Sequence, residues 1–193
     1  ALTGELDPND LSQAGWGIVF TASADPAIRA ALQPLVDRRR QQVSDDSIFK
    51  IFDGAEGIQP GDDARSWLLR KGVTMQVVDS RMGVPYYLLL VGSPEEISFE
   101  FQYSLDIFWS VGRVHFPAVE DYAKYAQSVI DYEQSPKVPR SRQIAIFAPK
   151  HDGDAATGLF ADKIASDLAV GSSIVGPIGK RQKFLLRSAI GEG

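Results

Sequence analysis

The run YYLLLV, Tyr86–Val91, limits what this chain can fold into more than any other stretch. A strand with one wet face alternates apolar and polar residues. An unbroken apolar run has no wet face, and such strands belong to parallel sheets covered on both sides. The run therefore predicts a buried parallel strand, with helices packed above and below it. A Gly-Ser-Pro turn follows at Gly92–Pro94, then a polar-aromatic stretch, then a second glycine-bearing strand, Trp109–Phe116. In α/β proteins strand ends of this kind carry either an active site or the scaffold beneath one.

The rest of the chain supplies the helices and further strands. Trp16–Phe20 reads as a strand. Asp25-Pro26 opens a helix, with Asp as N-cap and Pro in the first turn. Ile28, Ala31, Leu32, Leu35 and Val36 give that helix one buried face, and Pro34 predicts a kink. Ser47–Phe52 reads as a strand, Asp62–Arg70 as a short helix ended by Gly72, and Thr74–Val78 as another short strand. Ala118–Tyr132 is an amphipathic helix whose Val119, Tyr122, Ala123, Ala126, Val129 and Ile130 share one side. The polar stretch Glu133–Arg142, EQSPKVPRSR, carries two prolines and reads as a linker. The fold class is thus α/β, a Rossmann-like, mostly parallel sheet with helices on both faces. Its organisation is an α/β subdomain over 1–134, a linker over 135–142 and a second, incomplete α/β unit over 143–193. In that last unit Gln143–Ala148 and Ser173–Val175 read as strands, and Asp154–Leu168 and Lys180–Ile190 as helices. These elements are too few to cover both faces of a sheet. The chain opens at Ala1 without an initiator methionine, so a piece of a longer protein is expected.

Composition narrows the chemistry. The chain has 193 residues, no cysteine and two histidines, His115 and His151. Disulfides, thiolate zinc sites and a cysteine nucleophile are therefore excluded within these residues. A net charge of −5 argues against a nucleic-acid partner, which requires clustered cations. The one dense basic run, Arg38-Arg39-Arg40, lies near the end of a predicted helix, where cations complement the helix dipole. No apolar run is long enough to span a bilayer, so no membrane partner is expected, and the lack of cysteine fits a cytoplasmic protein. No cofactor is expected: the G-x-G-x-x-G and G-x-x-x-x-G-K-[ST] phosphate loops are absent, and so is a G-x-S-x-G nucleophile elbow. GAEGIQPGDD, residues 54–63, lacks the lysine of a phosphate cradle and reads as a surface loop.

Three constellations could still carry chemistry. His151, Asp152 and Asp154 in HDGD offer an imidazole and two carboxylates for a ligand or metal; alternatively, Asp152-Gly153 forms a turn and Asp154 caps the next helix. His115 on its apolar strand is a ligand or a hydrogen-bonded edge residue. Glu95, Glu96, Glu100 and Asp106 supply carboxylates for a glycosidase-like pair, or simply a solvated acidic loop.

Over Tyr86–Glu133 the chain resembles the first subdomain of gingipain-type cysteine peptidases and their bacterial caspase-like relatives. The likeness rests on Val91-Gly92, Ile97, Asp106, Val111-Gly112-Arg113, Phe116 and Tyr132-Glu133, in that order and spacing. Ser93 and Ser98 depart from the Asp and Pro of the family pattern, and Val114-His115 interrupts its Gly-Arg-Phe. RQIAIFAPKHDGDAATGLFADKIASDL, residues 142–168, resembles the first strand and helix of the catalytic subdomain. The resemblance implies a first subdomain without the catalytic pair, and a catalytic His and Cys on later strands outside this chain; His151 comes one strand too early. It implies a peptide or protein substrate for the complete enzyme, and as partner the remaining catalytic segment or a second chain. On that reading Gly92 and Gly112 serve backbone geometry. Arg113 is a structural cation for loop carbonyls or for the carboxylates of Asp106 or Glu133. The alternative is a self-contained Rossmann-like binding module without catalysis, and a third possibility is a hydrolase using HDGD and a metal.

Overall fold

A computed structural model describes residues 2–4, 6–136, 148–151 and 153–165. The chain divides into two units, Ala1–Val138 and Pro139–Gly193. The first is built on four parallel strands, β1 (Trp16–Phe20), β2 (Phe49–Phe52), β3 (Tyr87–Val91) and β4 (Ser110–Val114), in the spatial order β2-β1-β3-β4. The register sets Trp16 beside both Phe49 and Tyr87, and Tyr87 beside Ser110.

Side chains alternate across this sheet and define two cores. On one face Val19, Phe52, Leu88 and Leu90 meet Trp67 and Leu68 of α3 (Ala64–Arg70) and Phe101 and Leu105 of α4 (Phe99–Asp106). On the other, Ile18, Phe20, Leu89 and Val91 meet Leu32, Leu35 and Val36 of α2 (Pro26–Val43) and Tyr122 and Ala126 of α5 (Val119–Gln134). The expected Rossmann-like parallel sheet with helices on both faces is what the chain forms. No helix among the described residues is long and apolar enough to cross a membrane.

Local chemistry sets the element ends. Asp25 caps α2 by accepting the Ala27 N–H at 2.8 Å, and the helix runs on through Pro34. Asp63, not Asp62, caps α3, in a reciprocal capping box with Ser66. At its far end Gly72 turns left-handed at φ +70°, and the N–H groups of Gly72 and Val73 reach back to the carbonyls of Leu69 and Leu68, a Schellman closure. Strand β2 begins two residues later than expected because the Asp45 carboxylate takes the Ser47 N–H at 2.8 Å and holds that segment in a turn.

Two elements differ from the sequence reading. Thr74–Val78 is not a strand: among the described residues its ladder contact is an isolated bridge between Val78 and Leu2, and a strand needs a neighbour along its length. Conversely, the polar-aromatic stretch after Gly92 contains α4, capped by Ser98 Oγ on the Phe101 N–H at 3.1 Å. A four-residue helix, α1 (Leu11–Ala14), precedes β1. In the second unit α6 (Ala155–Leu159) continues as a π-helical turn, Phe160–Ala165, so the helix expected from Asp154 is present over these residues. The strands expected at Gln143–Ala148 and Ser173–Val175 and the helix at Lys180–Ile190 lie outside the described residues, apart from Ala148.

The basic run of α2 ties two helices together rather than only answering a dipole. Glu133, in the last turn of α5, accepts from Arg39 Nη1 at 2.6 Å, Gln42 Nε2 at 3.0 Å and Arg38 Nε at 3.4 Å. Arg40 pairs with Asp46 at 2.7 Å and lies over the Phe49 ring. Burial alone would push the Glu133 carboxyl up; the hydrogen bond and charge of Arg39, with the bonds from Gln42 and Arg38, outweigh it and hold the group below the usual carboxylate range. With the folded value below the unfolded one of about 4.3, the tie is fully stabilising above that pH and fades as pH falls through the folded value. Replacing Glu133→Gln should lower stability by roughly 1–2 kcal/mol at neutral pH, and by progressively less in acid. Urea unfolding across pH measures this, and an unchanged midpoint at neutral pH would refute the tie.

Candidate functional site

Strand order reverses between β1 and β3, and beyond the C-terminal ends of these two strands lies the crevice where open α/β sheets bind ligands. Three loops meet there. The loop after β1 contributes Thr21 and Ser23, the loop before α3 contributes Gln59 and Asp62, and the turn after β3 contributes Glu95 and Glu96. They enclose a cleft of about 310 Å³, with Ile58, Ile97 and Phe101 as its apolar wall. An adjoining cavity of the same volume shares Asp62, Ser98 and Phe101 and reaches Arg65 and Glu100.

The turn after β3 is locked from within. Gly92 sits at φ +152°, and a Cβ there would come within 3.2 Å of Ile97 Cδ1. Ser93 and Glu96 bond reciprocally, Ser93 N–H to Glu96 Oε2 at 2.8 Å and Glu96 N–H to Ser93 Oγ at 3.3 Å. Arg113 then clasps the whole turn from β4. Its Nη1 donates to the carbonyls of Gly92 at 3.1 Å and Ser93 at 2.9 Å, its Nη2 to that of Ser98 at 3.3 Å and its Nε to Gln102 Oε1 at 2.9 Å. The Phe99 ring covers the guanidinium. Arg113 thus binds loop carbonyls, one of its expected roles, and neither Asp106 nor Glu133. Asp106 instead accepts the Val111 N–H at 3.1 Å, and Glu133 lies in the α2–α5 tie.

Gly112 departs from the expectation for it. It lies within β4 without a positive φ, and a Cβ there would meet only Leu89 Cδ1 at 3.7 Å, an ordinary contact. The glycine is not required by backbone geometry.

The carboxylates of the opening stretch do not form one group. Glu95 and Glu96 line the cleft and Glu100 the adjoining cavity, while Asp106 sits at the far end of α4. Hydrogen bonds from its own backbone N–H and from the Ser93 hydroxyl hold Glu95 below the usual carboxylate range. Asp62 is engaged by Arg70 Nη1, 2.7 Å from both carboxylate oxygens, and by the Gln59 N–H at 2.7 Å.

His115 is exposed just past β4, its Nδ1 3.5 Å from the Tyr122 hydroxyl, which accepts the Phe116 N–H at 3.1 Å. In the second unit Asp154 caps α6 through the Ala156 N–H at 2.9 Å, and Gly153 turns at φ +82°. His151 is exposed and donates its backbone N–H to Thr157 Oγ1 at 3.2 Å; Asp152 lies outside the described residues. Among the described residues no group of three or more His, Asp or Glu could hold a metal ion.

Sequence reasoning passed over Thr21, Ser23 and Gln59. Thr21 is the informative one: it is 8% exposed, and its buried hydroxyl has no hydrogen-bond partner among the described residues. Its signal was available, a polar residue directly after the apolar run GIVF. Comparison of the chain with models of known families, with curated proteins and with solved structures finds no match in any of the three.

The locked turn can be tested by a short substitution series. Gly92→Val and Arg113→Lys should each cost about 1–3 kcal/mol, the first through backbone strain and the Ile97 contact, the second because an ammonium cannot serve these acceptors together. Gly112→Ala should stay within about 0.5 kcal/mol of the parent. Denaturant midpoints measure all three, and equal costs at Gly92 and Gly112 would overturn this account of the turn.

Proposed function

We propose that this chain is the non-catalytic N-terminal portion of a caspase-fold cysteine endopeptidase, whose Cys-His pair lies outside it. The observation that carries this reading is the use made of the residues resembling that family's first subdomain. Gly92 shapes the turn after β3, Arg113 clasps it, Asp106 caps a main-chain donor of β4, and Glu133 joins α2 to α5. All four build a framework, and none presents a nucleophile or a general base. In the complete enzyme a thiolate would attack the peptide carbonyl and the His would transfer the proton to the leaving amine. This portion supplies a rigid sheet to which further polypeptide is joined. In keeping with that role, β4 is an outer strand of the described sheet, and Phe99, Tyr103 and Ile107 of the neighbouring α4 region are 50%, 63% and 65% exposed. A second reading, a Rossmann-like binding module without catalysis, is favoured by the cleft between β1 and β3.

The test compares this chain with the whole encoded protein on a fluorogenic peptide library, with and without iodoacetamide. The expected result is hydrolysis by the whole protein that alkylation abolishes, and none by the 193-residue chain. Turnover that tracks the purified chain, or a whole protein that is inactive or indifferent to alkylation, would overturn the proposal.

A further inference from the structure

On the face of the sheet covered by α2 and α5, the inward positions of β1 and β3 carry bulk: Trp16, Ile18 and Phe20, then Tyr87, Leu89 and Val91. Strand β4 breaks that pattern. Ser110 is the register partner of Tyr87 and Gly112 that of Leu89, so both positions face the same side, and neither has a side chain long enough to reach the helices. What is left is a cavity of about 310 Å³, floored by Ser110 and Gly112 and walled by Trp16, Tyr87, Leu89 and Tyr125. Nothing in the fold demands the glycine: its φ is not positive, and a Cβ there would meet only Leu89 Cδ1, at 3.7 Å. A glycine inside a strand weakens it, and where its own chain does not crowd it, the close approach of another molecule accounts for it.

The cavity also has a definite charge. Arg39 is the one charged residue lining it among the described residues, and its side chain is 15% exposed. Only Nη1 is spent, on Gln42 and Glu133; Nε and Nη2 have no partner among the described residues. Glu133 also serves Arg38, so two guanidinium groups share one carboxylate and one positive charge is left over. Glu133 itself does not line the cavity. A guanidinium fork matches a planar carboxylate, and a single leftover charge answers a monoanion. The three rings suit a flat apolar body, and the volume is at the small end of ligand pockets, which run from about 300 Å³ upward.

We propose that this cavity binds a small aromatic carboxylate. The ring lies over Gly112, in the place a side chain would take, against Tyr87 and Tyr125, and the carboxylate accepts from Arg39. A free aryl acid and the C-terminal aromatic residue of a peptide share this chemistry. The inference does not depend on the peptidase reading, which assigns no ligand to this face of the sheet.

Titration calorimetry on this chain tests it, with 3-phenylpropionate as probe, 3-phenylpropanamide as its neutral match and propionate as the acid without a ring. The probe should bind saturably, more weakly as salt is raised, and at least about tenfold tighter than either control. Gly112→Val fills the floor of the cavity: it should abolish binding while leaving the unfolding midpoint equal or higher, because its Cβ meets no clash and a β-branched residue suits a strand. Arg39→Gln should bring the acid down to the level of the amide, a ratio that a general loss of stability would not move. N-acetylglycyl-phenylalanine separates the sources, and either result upholds the site: tighter binding than phenylpropionate assigns it to a peptide C-terminus, looser binding to a free acid. Heat no greater than for propionate, an acid bound no better than its amide, or binding unchanged in Gly112→Val would overturn the proposal.

Discussion

Strands β1 and β3 have to be covered on both faces and paired on both edges at once. Every residue of β1 is buried, as are four of the five in β3, so neither can tolerate water on any side. Parallel pairing meets that demand because each crossover returns a helix to one face of the sheet. The pairs α2 with α5 and α3 with α4 then follow as the two covers. Close approach is part of the same constraint. At Gly17 in β1 a Cβ would come within 3.0 Å of Pro85 and 3.2 Å of Leu88 Cδ2. Gly15, at φ +73°, lets the Ile48 carbonyl come still closer, and that carbonyl accepts the Trp16 N–H just before the β1–β2 ladder begins.

A sheet built this way leaves its C-terminal loops with carbonyls that no ladder satisfies. Around β3 the solution is a single side chain. Arg113 has several donors in a fixed plane and meets three carbonyls and one amide oxygen with them, so one residue of β4 fixes seven residues of the preceding connection, Gly92 to Ser98. That connection is also a wall of the cleft. The positions of Glu95 and Glu96 therefore depend on a cation that never faces the cleft's contents, and the stiffness of the site is inherited from the sheet edge.

How far the sequence discloses this depends on the range of the interaction concerned. β1, β3, β4, α2 and α5 are legible because their periodicity and caps are local, and Asp25-Pro26 marks the start of α2 to the residue. Thr74–Val78 has the composition of a strand but among the described residues pairs only at Val78, and composition contains no information about neighbours. Helix α4 is short, and its buried contacts, Phe101 and Leu105, are diluted by the exposed Phe99 and Tyr103, which hides its period. The nature of Arg113 as a structural cation is readable from its type and setting; its partners are not, because Gly92 and Ser93 are 21 and 20 residues away. Gly92 and Gly112 look alike in sequence and differ only in φ and surroundings. Thr21 becomes informative only when burial and the lack of a partner are both known.

The sign of the cleft follows from where the chain places its carboxylates. A parallel sheet with a helix after each strand offers N-terminal helix dipoles at its C-terminal edge, and left alone these attract anions. In this chain Asp25, Asp63 and Ser98 cap α2, α3 and α4, each bonding a donor that a phosphate would otherwise take, while α5 starts after Ala118 without a side-chain cap. At α2 and α3 the positive end thus meets a carboxylate that also defines the helix boundary. Glu95 and Glu96 line the same edge, where Arg113 is turned to carbonyls and Arg70 to Asp62. Residues that cap helices thus also occupy donors at the edge of the sheet where nucleotide-binding folds commonly hold a phosphate.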